Sequence, residues 1–258
     1  MEIFIAVVIV AVIGLIAGVG LALASKYMAV PVDEKQEKIR EALPGANCGA
    51  CGYSGCDGYA AAVVAGEAEP NKCAPGGETA LSLISEILGV ELTSEPKVAF
   101  IACKGNCEKT LNKYSYEGLM SCTAASQIYA GPVSCSYGCI GFGDCVKECP
   151  FDAITLENGR PIICEDKCMA CGKCIAVCPK SLISLIPKKH SVTVNCSNKQ
   201  KGAPVVKNCK VSCVACKLCE KACESGAIKV ENNLAVVDYS LCTGCGKCVS
   251  ACKRGVLI

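Results

Sequence analysis

Cysteine is the residue whose number and spacing in this chain could do the most chemistry, since there are 26 cysteines in 258 residues. Two runs near the carboxyl end follow the spacing C-x2-C-x2-C-x3-C, which holds 4Fe-4S clusters in bacterial ferredoxins. The runs are Cys213, Cys216, Cys219 and Cys223, then Cys242, Cys245, Cys248 and Cys252. They predict a unit that binds two clusters and carries electrons.

A second pair of runs lies in the middle of the chain and indicates an internal repeat. Its members are Cys135, Cys139, Cys145 and Cys149, then Cys168, Cys171, Cys174 and Cys178. In both pairs the first run ends 19 positions before the second begins, as expected of a duplicated unit. The run from Cys135 is stretched to C-x3-C-x5-C-x3-C, and the glycines within it allow the tight backbone that this spacing needs.

The ferredoxin pattern also predicts how the cysteines are shared, because the fourth cysteine of each run ligates the cluster of the other run. The predicted sets are Cys135, Cys139, Cys145 and Cys178; Cys168, Cys171, Cys174 and Cys149; Cys213, Cys216, Cys219 and Cys252; and Cys242, Cys245, Cys248 and Cys223. Between the runs, residues 153–163 and 227–237 predict β-hairpins with turns at Asn158-Gly159 and Asn232-Asn233.

A fifth set, with different spacing, lies nearer the amino end and comprises Cys48, Cys51, Cys56 and Cys73. Glycines beside the thiols allow the chain to wrap tightly. Residues 35–43 and 78–88 predict helices that end at Pro44-Gly45 and Gly89. We therefore expect a small helical domain with its own 4Fe-4S cluster, five clusters in all.

Before these motifs, residues 3–24 form an unbroken apolar run of 22 residues. A helix of that length spans roughly 30 Å of hydrocarbon, so the run predicts a single, uncleaved transmembrane anchor. The cations after it, Lys26, Lys35, Lys38 and Arg40, place the following domains on the cytoplasmic side of the cell membrane.

The predicted fold class is α+β, with one transmembrane helix, a small helical 4Fe-4S domain and two tandem ferredoxin-like units. The expected boundaries are an anchor at 1–28, the helical domain at 29–94, a bridging segment at 95–130, and ferredoxin units at 131–188 and 189–258. A reducing cytoplasm argues against a disulfide scaffold. Zinc remains an alternative because C-x2-C pairs also bind zinc, which leaves open a membrane-tethered zinc-binding interaction protein.

The chain resembles the B subunit of the Rnf complex, a membrane-bound ferredoxin:NAD oxidoreductase. The resemblance lies in the order of its parts: an apolar amino-terminal segment, the Cys48 to Cys73 motif and then the ferredoxin repeats. The resemblance covers nearly the whole chain, and the second ferredoxin pair marks an extended form. It implies an ion-transporting translocase in which this protein takes electrons from soluble ferredoxin. The implied partners are multi-helix membrane subunits, flavin subunits and an NADH-binding subunit, with no nucleic acid. A redox-sensing regulator or nitrogenase is an alternative end point for the same relay.

Other residue patterns give no indication of catalysis by this chain itself. It has no glycine-rich dinucleotide fingerprint between a strand and a helix, and its single histidine, His190, has no acid or second histidine beside it. We expect His190 to lie in a solvated loop, and we expect no catalytic acid or base.

The carboxyl-terminal region is basic, with 13 Lys or Arg residues against 4 acidic residues from Lys180 onward. A net charge of +9, reduced to about +5 by two clusters of about −2 each, would steer an acidic ferredoxin toward it. A solvated, flexible loop is the alternative interpretation.

Six cysteines fall outside the five sets: Cys103, Cys107, Cys122, Cys164, Cys196 and Cys209. The first three leave open a sixth cluster, completed by Cys164 or by a non-cysteine ligand. They are equally compatible with inert thiols that pack as small hydrophobic side chains.

Overall fold

The computed structural model of the chain describes residues 2–27, 33–93, 95–189 and 192–258. His190 lies outside these ranges, so its predicted solvated position stays a prediction. Helix α1 spans Glu2–Tyr27, and the side chains in it are described for residues 4, 5 and 11–24.

The prediction of a transmembrane anchor is wrong on the described residues, which contain no helix that is both long enough and apolar enough to cross a membrane.

Three helices form the next unit: α2 (Glu34–Ala42), α3 (Cys56–Val64) and α4 (Gly77–Leu88). Asp33 caps α2 by accepting a hydrogen bond from the Lys35 N–H at 2.8 Å, which satisfies one of the free donors of the first turn. Helix α4 ends at Gly89 in the left-handed conformation, as helices commonly do. Ile39, Tyr59 and Ile84 are buried between the helices and hold them around the cysteine loop.

The first ferredoxin-like unit combines two antiparallel pairs of strands with short helices. Strand β1 (Lys97–Ile101) pairs with β4 (Ile183–Pro187), and β2 (Ile154–Glu157) pairs with β3 (Arg160–Ile163). Helices α5 (Cys122–Ser126), α6 (Asp144–Lys147) and α7 (Lys173–Val177) carry or flank cysteines. The β2–β3 turn has positive φ at Asn158 and Gly159, as a type I′ turn requires. The predicted hairpin is confirmed.

The second ferredoxin-like unit repeats this plan. Strands β5 (Ile228–Glu231) and β6 (Leu234–Val237) form the second predicted hairpin, which is also confirmed. The unit also contains helices α8 (Ala203–Asn208), α9 (Leu218–Ala222) and α10 (Lys247–Ala251). A single bridge between Val194 and Leu257 takes the place of the β1–β4 pair.

Cysteines form part of both hydrophobic cores. Cys145 and Cys174 are buried in the first unit, and Cys219 and Cys248 in the second. Units this small rarely bury enough apolar surface to fold alone. Groups bound by these thiols would therefore also stabilise the fold.

Candidate iron–sulfur centres

The four cysteines of the helical unit, Cys48, Cys51, Cys56 and Cys73, line one pocket. The backbone N–H of Cys56, at the start of α3, donates to Oδ1 of Asn47 at 2.9 Å. This contact ties the loop before Cys48 to the helix that carries Cys56. The structure thus brings together all four residues predicted for this set.

Tyr59 positions the segment that leads to Cys73. Its hydroxyl donates to the Glu69 carbonyl at 2.9 Å and accepts from the Lys72 N–H at 3.1 Å. Burial raises the pKa of Tyr59 to about 12, so the hydroxyl stays a donor over the physiological range. Burial also raises the pKa of the Cys73 thiol, because a thiolate is less well solvated there.

A second pocket is lined by Cys122, Cys139, Cys145 and Cys178. Three of these were predicted to share a site, but the sequence predicted Cys135 as the fourth. The structure places Cys135 at another pocket and Cys122, at the start of α5, in this one. Burial, and then the charge of Cys122, raises the pKa of Cys145 to about 11.

The stretched loop of this site depends on Gly141, which has a φ of +88°. A Cβ atom at this position would collide with the carbonyl oxygen of Gly159 in the β2–β3 turn. Glycine therefore allows the Cys139 to Cys145 loop to lie directly against the hairpin.

Asp144 joins helix α5 to helix α6 at the same pocket. Its Oδ2 accepts hydrogen bonds from the Ser121 hydroxyl at 2.8 Å and from the Thr123 N–H at 3.1 Å. Burial raises the pKa of Asp144, but these hydrogen bonds outweigh it and lower the pKa below its usual value. The residues before and after Cys122 are therefore held by a buried carboxylate.

Cys149, Cys168, Cys171 and Cys174 come together in the same unit. Burial, and then the charges of the other three and of Cys145, raise the pKa of Cys174 to about 12. Two backbone N–H groups donate to sulfurs, from Ala153 to Cys149 and from Ala99 to Cys168, each at 3.4 Å. Cys149 thus lies with the run that follows it, as the crossing pattern predicted, and its role as a ligand stays a prediction.

In the second ferredoxin-like unit, Cys213, Cys216, Cys219 and Cys252 line one pocket. Burial raises the pKa of Cys252, but backbone N–H groups from Arg254 to Leu257 outweigh it and lower the pKa. Backbone N–H donors that face a thiolate stabilise its negative charge.

The remaining run of this unit shows the same opposing effects. The charges of Cys223 and Cys242 add to burial in raising the pKa of Cys248. The Ser225 hydroxyl, by contrast, lowers the pKa of Cys223. Cys245 is exposed.

Another pocket is lined by Cys103, Cys135, Cys196 and Cys209, three of which were left without a set by the sequence. Cys107 and Cys164, the other two unassigned cysteines besides Cys122, are exposed.

A signal for Cys122 was present in the sequence. Phe142 stands where the second cysteine of a C-x2-C-x2-C-x3-C run through Cys139, Cys145 and Cys149 would be. The missing cysteine of that run therefore had to be supplied from elsewhere in the chain.

Four pockets of the described chain are each lined by four cysteines. Four thiolates are the ligand set of a 4Fe-4S cluster, and four cysteines also form structural zinc sites. Within the described ranges, no group of three or more His, Cys, Asp or Glu side chains is arranged to hold a single metal ion.

Neighbouring cysteine sets lie close enough for a thiol of one set to affect the pKa of a thiol in the next. After burial, the charge of Cys48 helps to raise the pKa of Cys171. Cys145 acts in the same way on Cys174. The helical unit therefore adjoins the set of Cys149, which in turn adjoins the set of Cys122.

Comparisons with known proteins agree with this geometry. A family model described as "Putative Fe-S cluster" matches residues 43–75, and one described as "4Fe-4S dicluster domain" matches residues 134–183 and 212–257. These segments contain the Cys48 set and most cysteines of the two ferredoxin-like units.

Curated relatives resemble the chain over most of its length. It is 42% identical to the B subunit of the proton-translocating ferredoxin:NAD(+) oxidoreductase complex of Clostridium ljungdahlii, over 97% of this chain and 90% of the relative. It is 44% identical to the B subunit of the Na(+)-translocating ferredoxin:NAD(+) oxidoreductase complex of Acetobacterium woodii, over 96% and 75%. The B subunit of the ion-translocating oxidoreductase complex of Escherichia fergusonii is 37% identical over 59% of this chain and 67% of the relative.

Proposed function

The chain belongs to the B-subunit family of the ion-translocating ferredoxin:NAD(+) oxidoreductase (Rnf) complexes, and on this premise we propose that it relays electrons from reduced ferredoxin toward the other subunits. The supporting observation is that its cysteines gather into four-membered sets that adjoin one another. A 4Fe-4S cluster supplies a one-electron carrier at each set. The protein supplies the thiolates, the hydrogen bonds to them and the burial that tune each potential.

We assign the ligands from the thiols that lie near one another in the structure and, for Cys245, from the spacing of its run. They are Cys48, Cys51, Cys56 and Cys73; Cys122, Cys139, Cys145 and Cys178; Cys149, Cys168, Cys171 and Cys174; Cys213, Cys216, Cys219 and Cys252; and Cys223, Cys242, Cys245 and Cys248. This assignment differs from the sequence prediction in one ligand, since Cys122 replaces Cys135.

Electrons enter at the carboxyl-terminal unit in this proposal. Cys216 and Cys245 are exposed there, which gives a soluble donor access to both cysteine sets of the unit. Lys217, Lys253 and Arg254 line the pocket of Cys216. These cations would attract an acidic ferredoxin and speed its encounter with the chain.

Electrons leave through the Cys48 set, which lies at the opposite end of the series of cysteine sets. Ion translocation, stated in the names of the relatives, takes place across a membrane. We therefore propose that the helical unit passes electrons to membrane-associated subunits of the complex, and that flavin-carrying and NADH-binding subunits follow.

Replacing Cys56 by Ala in the assembled complex tests this path. Reduced ferredoxin should still reduce the clusters of the two ferredoxin-like units, while ferredoxin-dependent NAD reduction is lost. Cys107→Ala, at an exposed cysteine outside the assigned sets, is the matched control and should keep full turnover. Full turnover in the Cys56 variant would remove the helical unit from the electron path.

A further inference from the structure

We propose that Cys103, Cys135, Cys196 and Cys209 bind a sixth iron–sulfur cluster, located where the two ferredoxin-like units meet. The inference rests on the proposed function, because it adds one carrier to the same relay. All four cysteines line a single pocket. Cys103, Cys135 and Cys209 are less than 10% exposed, and Cys196 is half-buried.

The site is built symmetrically from the two copies of the repeat. Cys135 and Cys209 are 74 positions apart, as are Cys139 and Cys213. Cys103 lies two residues after Ile101, which pairs with Ile183 in strand β4. Cys196 lies two residues after Val194, which forms an isolated bridge with Leu257, so the two cysteines hold corresponding positions. Each unit thus contributes one equivalent pair of thiols.

Equivalent hydrogen bonds reach the sulfurs from both units. The Cys139 N–H donates to Sγ of Cys103 at 3.5 Å, and the Cys213 N–H donates to Sγ of Cys196 at 3.4 Å. The same backbone N–H thus donates to the corresponding cysteine sulfur in each unit. Hydrogen bonds of this kind orient and stabilise a thiolate that acts as a ligand. Buried thiols that merely fill space have no requirement for such donors.

A buried amide adds a donor to a third sulfur. Asn198 is 1% exposed, and its Nδ2 lies 3.6 Å from Sγ of Cys135. Its Oδ1 accepts from the Gln200 N–H at 2.8 Å, which fixes the amide orientation. Burying a polar side chain is costly unless its hydrogen bonds are made, and here one of them is made to a sulfur.

Backbone contacts between the units hold the pocket in shape. The Lys104 N–H donates to the Asn195 carbonyl at 3.0 Å, beside Cys103 and Cys196. The Lys210 N–H donates to the Lys109 carbonyl at 2.9 Å, beside Cys209. The four thiols are therefore positioned by the junction itself.

Cations at the junction suit a net negative group. Lys104 lines the pocket, and its Nζ donates to the Gly255 carbonyl at 3.1 Å. The guanidinium of Arg254 donates to the Cys209 carbonyl at 3.2 Å. Four thiolates around an oxidised cluster carry about −2, which these side chains would offset.

The position of the site gives it a place in the relay. On one side, Cys103 accepts from Cys139, a residue of the Cys122 set. On the other side, Cys196 accepts from Cys213, a residue of the carboxyl-terminal unit. A cluster held here would lie between the two ferredoxin-like units and connect them.

Metal and sulfide analysis of the anaerobically purified full chain tests the proposal. Six clusters give about 24 irons and 24 sulfides per chain, whereas five give about 20. A count near 24 supports the sixth cluster. A count near 20 overturns it and leaves the five-cluster function standing, and about one zinc in addition would identify a zinc site instead. A chain without iron would overturn both proposals.

Single cysteine variants test whether the additional irons are bound at this pocket. Cys209→Ser should lose about four irons and one set of electron paramagnetic resonance signals, while Cys107→Ser should lose none. An unchanged iron count in Cys209→Ser would overturn the assignment. If that variant retains no iron because it does not fold, the iron count of the unaltered chain decides the matter.

Discussion

The hydroxyl of Ser121 donates a hydrogen bond to Oδ2 of Asp144 at 2.8 Å, and this contact ties the helix that begins at Cys122 to the helix that carries Cys145. Two proposed ligands of one cluster, 23 residues apart in sequence, thus depend on a single buried carboxylate. The contact is the basis of the first prediction.

Replacing Asp144 by Asn should loosen helix α5 and weaken the cluster held by Cys122. Hydrogen bonds to a charged group contribute about 1.5–3 kcal/mol each to stability, so the free energy of unfolding should fall by about that amount. Chemical denaturation and iron analysis measure the two effects. Asp166→Asn, at an exposed carboxylate paired with Lys188, is the control and should change neither.

The same substitution has a predicted pH dependence. The pKa of Asp144 is lower in the folded chain than its usual value, so the carboxylate stabilises the fold fully above the unfolded pKa of about 3.9. This stabilisation is lost as the pH falls through the lowered folded pKa. Stability curves of the unaltered chain and of Asp144→Asn should therefore converge in acid; a constant difference would contradict the assignment.

Replacing Cys122 by Ser tests the ligand that the sequence did not assign. The variant should lose up to about four irons, because the loop from Cys139 to Cys145 has Phe142 in place of a cysteine. Cys164→Ser, at an exposed thiol, should keep the full complement. Equal iron content in the two variants would remove Cys122 from the site.

How much the sequence predicts here depends on how local each feature is. The spacing of Cys213, Cys216 and Cys219 predicts three members of one set because these thiols follow one loop and the start of one short helix. The fourth, Cys252, follows from the crossing pattern of the repeated run. The two hairpins follow from turn residues such as Asn158 and Gly159. Cys103 and Cys196 meet only because two units pack together, and no spacing within one run encodes that contact. The apolar amino-terminal run predicted a membrane span that the described helix does not provide.

Replacing Tyr59 by Phe should destabilise the helical unit by about 1–3 kcal/mol, because two hydrogen bonds of about 0.5–1.5 kcal/mol each are lost. These are the bonds of the Tyr59 hydroxyl with the Glu69 carbonyl and the Lys72 N–H. The Cys73 ligand should then exchange more readily, and the rate of iron release to a chelator should rise. Tyr53→Phe is the matched control, because its hydroxyl contact is long, at 3.4 Å, and exposed. Equal release rates would contradict a positioning role for Tyr59.

Reversing charge at the carboxyl-terminal unit should slow ferredoxin oxidation. A Lys217→Glu, Lys253→Glu double variant places two acids at the proposed entry site, so the association rate should fall several-fold at low ionic strength. The difference should shrink as salt screens the charges. Lys38→Glu, on helix α2, is the control and should keep the original rate; an equal loss in both would indicate a general charge effect.

Electron relay through 4Fe-4S clusters is tested most directly by electron paramagnetic resonance of the anaerobically purified full chain, before and after mixing with reduced ferredoxin. We expect visible absorption to bleach as ferredoxin is oxidised, while paramagnetic signals of reduced 4Fe-4S clusters appear. A colourless protein that contains zinc, gives no paramagnetic signal and leaves ferredoxin reduced would contradict the relay.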